Sequence, residues 1–144
     1  HVDDYLDTPV FVAHNTQFDL RFIWQRAIIL GVTPPAWWPI DAKPWDDTRV
    51  HDTMTMWAGH GNRISLDRLC RTFNLPGKSG IDGSKVWDAI AAGRIDEVVE
   101  YCDDDVRRLR LCHRKIARLP ISPVHSDDWD RLIEREEAQE GEAA

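Results

Sequence analysis

The segment from about Thr16 to Leu30 constrains the fold more than any other, because it predicts a helix that is apolar around most of its circumference. The segment is followed by Gly31, a residue type that commonly closes a helix in a left-handed conformation. A helix that is apolar on most sides needs cover on nearly all of them. The chain is therefore expected to fold into a layered domain and not into a simple pair of helices.

Predicted strands and helices alternate along the chain. Pro9–Ala13 is short, apolar and β-branched, which predicts a buried strand, and Arg49–Met54 predicts a second strand. Residues 32–47 contain four prolines and three tryptophans and predict an ordered loop. Further helices are predicted from Ser65 through Phe73, from Ser84 to Ala92, and from Asp96 to about Leu119. This order of elements predicts an α/β layer fold.

The net charge of −7 is unevenly distributed along the chain. From Asp127 onward there are eight acidic residues against two arginines, so residues 1–126 are close to neutral. The overall acidity therefore does not exclude a nucleic-acid partner. The acidic stretch 127–144 is predicted to form a separate helix or tail, unordered from about residue 137.

No apolar run approaches the ~18 residues of a membrane span, and the three cysteines form no CxxC pair. Reduced thiols in a soluble, cytoplasmic protein are the simplest interpretation, with no membrane partner.

The last long predicted helix carries the clearest sign of chemistry. At about 100° per residue, Tyr101 and Asp105 fall on an apolar stripe that begins at Val98. A carboxylate that faces a core is costly unless it is paired or bound to a metal. Hydrogen bonds from the backbone or from an arginine would also explain Asp105.

Neighbouring charges on this helix fall outside the stripe. Asp103 and Asp104 point away from it and are predicted to be solvated. The six basic residues between Arg107 and Arg118 are likewise predicted to lie on solvated outer faces. The stripe therefore selects Asp105 among the three consecutive aspartates.

A second motif, Ala13-His-Asn-Thr-Gln-Phe-Asp19, stands where the first predicted strand gives way to a helix. Side chains at strand ends in an α/β sheet project into the ligand crevice. Asp19 in a first helical turn and Asn15 as an N-cap can also be explained without any function. Alone, this motif is weak evidence for a functional site.

Together, the two motifs resemble the DEDD exonuclease superfamily, whose members share a three-layer RNase H-like (DnaQ-like) fold and four metal-binding carboxylates in three motifs. Asn15–Asp19 is similar to the second motif. Tyr101–Asp105 is similar to the third motif in its tyrosine form (DEDDy), with Glu100 where a histidine-type member carries His. The chain looks most like the predicted exonucleases related to the proofreading domain of family B DNA polymerases, through Ser65–Leu69, Leu75–Ser79, Asp82–Trp87 and Glu100–Val106.

The first motif of that superfamily, an Asp-x-Glu, precedes the second by several dozen residues. Only thirteen residues precede His14, and they contain no Asp-x-Glu. We therefore expect residues 1–126 to be a partial exonuclease domain with its N-terminal strands missing, inactive alone. Apolar helix surface left uncovered would make such a chain dimerise, aggregate or open easily.

The resemblance implies a 3'-5' exonuclease that uses two Mg²⁺ or Mn²⁺ ions on single-stranded DNA and releases nucleoside 5'-monophosphates. By the same resemblance, Asp19 and Asp105 are metal ligands and, with Tyr101, catalytic residues. Asp105 would bind the ion that activates water, and Asp19 the second ion. Tyr101 would position the attacking water, since a phenol is protonated at neutral pH. Asn15 and Phe18 would contact the substrate.

Basic and aromatic residues add weaker candidates for substrate contact. Lys78 and Lys85 flank a glycine-containing loop that could follow a phosphate backbone. The tryptophans of residues 32–47 could stack on bases, although packing is the commoner role. Asp52, at the end of the second predicted strand, is a candidate for a further acid near the metal ions, and a structural role is favoured for it.

Two other classes of function stay open. The chain could be a nucleic-acid-binding or protein-interaction module without catalysis. It could also be a structural α/β domain in which Asp105 is simply hydrogen-bonded. The sequence leaves the oligomeric state open.

Overall fold

The structure, a computed structural model, describes residues 9–77, 81, 83–120 and 123–142. The chain divides into two compact units, His1–Arg63 and Ile64–Ala144. No helix in the described ranges combines the length and apolarity that crossing a bilayer requires.

In the first unit, two short parallel strands are each followed by a helix. Its elements in chain order are β1 (Phe11–Ala13), α1 (Thr16–Ile29), β2 (Val50–Asp52) and α2 (Thr53–Ala58). The register places Phe11 opposite Val50 and Ala13 opposite Asp52. Because the strands are parallel, both end at the same edge of the sheet, and both helices begin there.

Both strands are shorter than predicted, and the first is not buried. Val10 and Val12 are exposed, so the predicted burial of Pro9–Ala13 is wrong. The core of this unit is too small to cover both faces of the strand. It consists of Leu20, Ala42 and Val50, with Phe11 and Trp38 packed against them.

The first helix has the predicted bounds but not the predicted cover. Its end is closed by hydrogen bonds from Gly31 N to Ile28 O (3.1 Å) and from Val32 N to Ala27 O (2.9 Å), with Gly31 at φ 72°. Only Thr16 and Leu20 of α1 are buried. The expectation of cover on nearly all sides is therefore not met in the described structure.

The tryptophan- and proline-rich loop is ordered, as predicted. The Trp38 ring meets the Phe11 ring edge-on at 5.1 Å, and its Nε1–H donates to Leu20 O at 3.2 Å. Trp38 therefore ties the loop to β1 and α1. This confirms a packing role for Trp38.

The second unit consists mainly of helices. They are α3 (Leu66–Thr72), a single 3-10 turn (Gly83–Lys85), α4 (Val86–Ala91), α5 (Ile95–Ile116) and α6 (Pro123–Glu142). The predicted cap of α3 is confirmed, since Ser65 Oγ accepts from Arg68 N at 3.2 Å. The buried core comprises Leu69, Cys70, Leu75, Leu111, Cys112 and Leu132. The reduced state predicted for the cysteines agrees with this core, where the Cys70 and Cys112 thiols share a hydrogen bond with the sulfurs 3.7 Å apart and form no disulfide.

The buried face of α5 lies about a quarter turn from the predicted stripe. Asp104, Arg108, Leu111 and Cys112 are the buried residues of this helix. The predicted solvation of Asp104 and Arg108 is therefore wrong. The start of the helix also differs from the prediction, since the N-cap is Arg94 and not Asp96.

Helices α3 and α6 both pack on the buried face of α5. Leu132 enters the shared core, and Arg110 Nη1 donates to Asp128 Oδ2 at 2.7 Å. The acidic C-terminal stretch thus pairs with a basic side chain of α5. Helix α6 continues to Glu142, beyond residue 137, from which disorder was predicted. Helix α6 also crosses residue 126, and the division of the chain there stays a prediction. The helices and small parallel sheet make the protein α/β.

Candidate functional site

The carboxyl edge of the two-stranded sheet brings the Asn15–Asp19 motif next to the end of β2. Asn15 occupies the N-cap position of α1, and Asp19 lies in its first turn. Asp52 is the last residue of β2 and the N-cap of α2. This edge is the point at which side chains of an α/β sheet meet ligands.

The Asp52 carboxylate organises this edge. Its Oδ1 accepts hydrogen bonds from Asn15 N (3.0 Å), Met54 N (3.0 Å) and Thr55 N (3.4 Å). Its Oδ2 accepts from Thr16 N (3.0 Å) and from Thr16 Oγ1 (3.1 Å). The favoured structural role of Asp52 is therefore observed, and it extends to the candidate motif, which the sequence did not reveal.

Asn15 has a backbone conformation that side-chain-bearing residues rarely adopt. It lies at φ 71°, ψ 55°, in the left-handed region, where asparagine is among the better-tolerated residues. Its side chain makes no capping hydrogen bond to α1. An N-cap role therefore does not explain the side chain, although Asn15 holds the N-cap position.

The environment of Asp19 disfavours its negative charge. Burial raises the pKa of the Asp19 carboxyl above its ordinary value of 3.8, and the nearby charge of Asp52 raises it further, while His14 opposes the rise. A half-buried carboxylate beside a second carboxylate gains from a cation. The electrostatics thus suit a metal ligand.

Phe18 presents an open aromatic surface next to Asp19. It is 64% exposed and stacks on Phe22, itself 53% exposed, with ring centroids 6.2 Å apart and planes at 15°. Exposed, parallel rings are suited to contact unpaired bases. Sequence reasoning named Phe18 and missed Phe22, although their i, i+4 spacing was a signal for the pair.

In the second unit, α5 carries Tyr101 and Asp105 one turn apart. The Asp105 side chain is 29% exposed, and its ion-pair contact is Arg108 Nη1, 3.6 Å from Oδ1. Oδ1 itself is buried and accepts no hydrogen bond among the described residues. An arginine contact, one of the simple structural explanations of Asp105, is therefore present, although it is longer than a hydrogen bond.

Asp104, and not Asp105, is the fully buried aspartate of α5. Its Oδ1 accepts from Arg107 Nη1 at 3.0 Å, and its Oδ2 lies 4.0 Å from Arg108 Nη2. These pairs neutralise the charge that burial would penalise. Asp104 therefore has a packing role, and Asp105 is left partly open to solvent.

The Tyr101 hydroxyl lies against the backbone of the 3-10 turn. A Cβ added at Gly83 would come within 3.2 Å of Tyr101 Oη. Glycine therefore allows the hydroxyl to approach this turn closely.

Of the two lysines predicted to contact the substrate, the structure describes one. Lys85 is an exposed residue at the end of the 3-10 turn and the N-cap position of α4. Lys78 lies outside the described residues. Lys85 is therefore open to a backbone phosphate, and the role of both lysines stays a prediction.

Each unit holds one candidate ligand, Asp19 in the first and Asp105 in the second, and both offer the carboxylate oxygens that a hard divalent cation prefers. Burial beside the charge of Asp52 favours a cation at Asp19, whereas Oδ1 of Asp105 already faces the Arg108 guanidinium at 3.6 Å. In neither unit does the described part of the chain gather three His, Cys, Asp or Glu side chains into a metal-binding cluster.

Comparison with known proteins gives one family match. A family model described as a predicted 3'-5' exonuclease related to the exonuclease domain of PolB matches residues 3–131. No curated protein and no solved structure gives a significant match. The matched span includes both Asn15–Asp19 and Tyr101–Asp105.

Proposed function

The chain belongs to the family of predicted 3'-5' exonucleases related to the exonuclease domain of PolB, and on that premise we propose that it hydrolyses phosphodiester bonds at the 3' end of single-stranded DNA. The products would be nucleoside 5'-monophosphates. The observation that carries the proposal is the family match, because its span holds both carboxylate-bearing motifs. The RNase H-like fold belongs to the same proposal.

Asp19 and Asp105 are the proposed ligands of two divalent ions, Mg²⁺ or Mn²⁺. When bound, such ions supply Lewis-acid activation of water and of the scissile phosphate. The raised pKa of Asp19 supports this assignment, since a cation would relieve the unfavourable charge there, and the Asp105 side chain is 29% exposed and so is reachable. Tyr101, one turn before Asp105, is proposed to hold the attacking water through its hydroxyl.

Substrate contact is assigned to the N-terminal part of α1 with the residue before it, and to the lysines in and before the 3-10 turn that precedes α4. The open rings of Phe18 and Phe22 would stack on unpaired bases, which have no duplex partner to compete with this contact. The Asn15 side chain, which does not cap α1, would hydrogen-bond the DNA substrate. Lys85, and by prediction Lys78, would lie along backbone phosphates.

The test is digestion of 3'- and 5'-labelled single-stranded DNA in Mg²⁺, Mn²⁺ or EDTA. The assay compares this chain with a form that is extended at its N-terminus by any residues encoded upstream. We expect metal-dependent shortening from the 3' end, reduced roughly 100-fold or more by Asp105→Asn. Asp103→Asn is the matched control, because Asp103 lies in the same aspartate run but its side chain is 59% exposed.

Two outcomes would contradict the proposal. Equal losses in Asp105→Asn and Asp103→Asn would remove Asp105 from the site. The absence of cleavage by a folded, extended form would reject the nuclease, and a nucleic-acid-binding or protein-interaction module without catalysis would take its place.

A further inference from the structure

Asp52 connects two strand ends that are far apart in sequence. Its five hydrogen bonds come from the N–H of Asn15, from the N–H and the hydroxyl of Thr16, and from the N–H groups of Met54 and Thr55 in the first turn of α2. Asp52 is 1% exposed, so its charge is stabilised by these donors and not by solvent. The backbone between β1 and α1 is therefore fixed by a residue that follows it by 36 or 37 positions.

The segment that Asp52 holds contains the least favourable backbone of the candidate motif. A left-handed backbone at a residue with a side chain is sterically unfavourable unless other contacts compensate for it. The backbone N–H groups of Asn15 and Thr16 both donate to the Asp52 carboxylate. The bend at Asn15 sets the direction in which α1 leaves the sheet, and with it the place of Asp19.

We propose that Asp52 is a positioning residue, which holds the bend at Asn15 so that Asn15 and Asp19 face the metal ion and the substrate. The inference rests on the proposed function. Asp52 does not itself contact metal or DNA in this scheme, because its oxygens are already engaged by protein donors. It acts through the backbone of the Asn15–Asp19 motif.

The donor arrangement requires a carboxylate and not an amide. Each Asp52 oxygen faces at least one backbone N–H, and an asparagine amide would direct its NH₂ group at one of these donors. Asp52→Asn therefore breaks the arrangement with almost no change in volume. Thr16→Val is a milder change, because it removes only the hydroxyl bond to Oδ2.

A matched control exists in an exposed turn of the same unit. Asp46 Oδ1 accepts from Thr48 N (3.2 Å) and from Thr48 Oγ1 (2.6 Å), the same pair of donor types that Asp52 receives from Thr16. Asp46→Asn thus makes the same chemical change away from the motif. A general loss of stability in this unit would affect both variants.

The experiment is a Mn²⁺ titration followed by amide NMR, which requires no catalysis. In the unmodified chain we expect Mn²⁺ to broaden the amide signals of residues 15–19. In Asp52→Asn, the Mn²⁺ concentration for half-maximal broadening should rise roughly 10-fold or more. Thr16→Val should raise it roughly two- to fivefold, and Asp46→Asn should leave it unchanged.

The outcomes separate this inference from the proposed function. Unchanged Mn²⁺ dependence in a folded Asp52→Asn chain would overturn the positioning role and leave the metal site at Asp19 intact. A lack of broadening in the unmodified chain would overturn the metal site itself and the inference with it. If Asp52→Asn does not fold, Thr16→Val decides, since a response equal to that of Asp46→Asn would reject the proposal.

Discussion

The two units stabilise their buried carboxylates in different ways. In the first unit, Asp52 is bonded to backbone N–H groups at the start of two helices. In the second unit, Asp104 is paired with the side chains of Arg107 and Arg108. A carboxylate held by the backbone fixes the course of the chain, whereas one held by arginines permits charged groups inside a packed helical core.

The largest effect on stability is expected from Asp104→Ala. It would leave Arg108, which is 1% exposed, without one of its counter-charges and lower the free energy of unfolding by roughly 3–5 kcal/mol. Asp103→Ala is the control and should cost no more than about 1 kcal/mol, because the Asp103 side chain is 59% exposed and lies 3.6 Å from Arg107, which keeps its pair with Asp104. Urea unfolding measures both variants. Equal losses of unfolding free energy in the two variants would show that the buried ion pairs of Asp104 do not stabilise the second unit more than an exposed aspartate does.

A smaller effect on the free energy of unfolding is expected from a substitution at the C-terminal end of α5, which can be compared with the end of α1. Helices α1 and α5 end in the same hydrogen-bonding pattern, but α1 uses Gly31 at φ 72° and α5 uses Arg118 at φ 54°. Arg118→Gly should raise the free energy of unfolding by roughly 0.5–1 kcal/mol, since glycine adopts this conformation without steric cost. Thermal unfolding measures the gain, and a loss would mean that the Arg118 side chain contributes more than its backbone costs.

The smallest effect on stability is expected from Asp19→Asn, and its sign depends on pH. Because the folded state raises the pKa of Asp19, protonation of this group stabilises the fold. That contribution is fully present below pH 3.8, the ordinary value, and is lost as the pH rises through the raised pKa.

At neutral pH, Asp19→Asn should therefore be slightly more stable than the unmodified chain, and the gain should shrink as the pH falls toward 3.8. Unfolding measured from pH 3.5 to pH 7, bracketing roughly the titration range of carboxyl groups, checks this expectation. A variant that is less stable at neutral pH would contradict the unfavourable environment inferred for Asp19.

Local signals in the sequence were sufficient to place several elements of the fold. The bounds of α1 follow from its apolar run and Gly31, and α3 begins after Ser65 as predicted. These features depend on hydrogen bonds between residues at most five positions apart. The family resemblance found from Asn15–Asp19 and Tyr101–Asp105 is confirmed by the family match.

Burial was predicted less well. The apolar stripe of α5 selected Asp105 as its buried aspartate, but Asp104 is buried, because α6 and α3 pack on a different face. An apolar stripe reflects apolar residues only, and it gives no sign that Arg107 and Arg108 stabilise the buried Asp104 by pairing with it. The same holds for α6, where the buried Asp128 is stabilised by its ion pair with Arg110, a contact that apolar periodicity does not predict.

The sequence alone determined the family, the residue types available for chemistry and the helix boundaries set by Ser65 and Gly31, because each depends on neighbours along the chain. Only the tertiary structure decided which aspartate of α5 is buried and what holds the bend at Asn15. Both depend on partners brought together by folding, such as Asp52, which lies 37 residues beyond Asn15. A hydrogen bond across that separation leaves no periodic trace in the sequence.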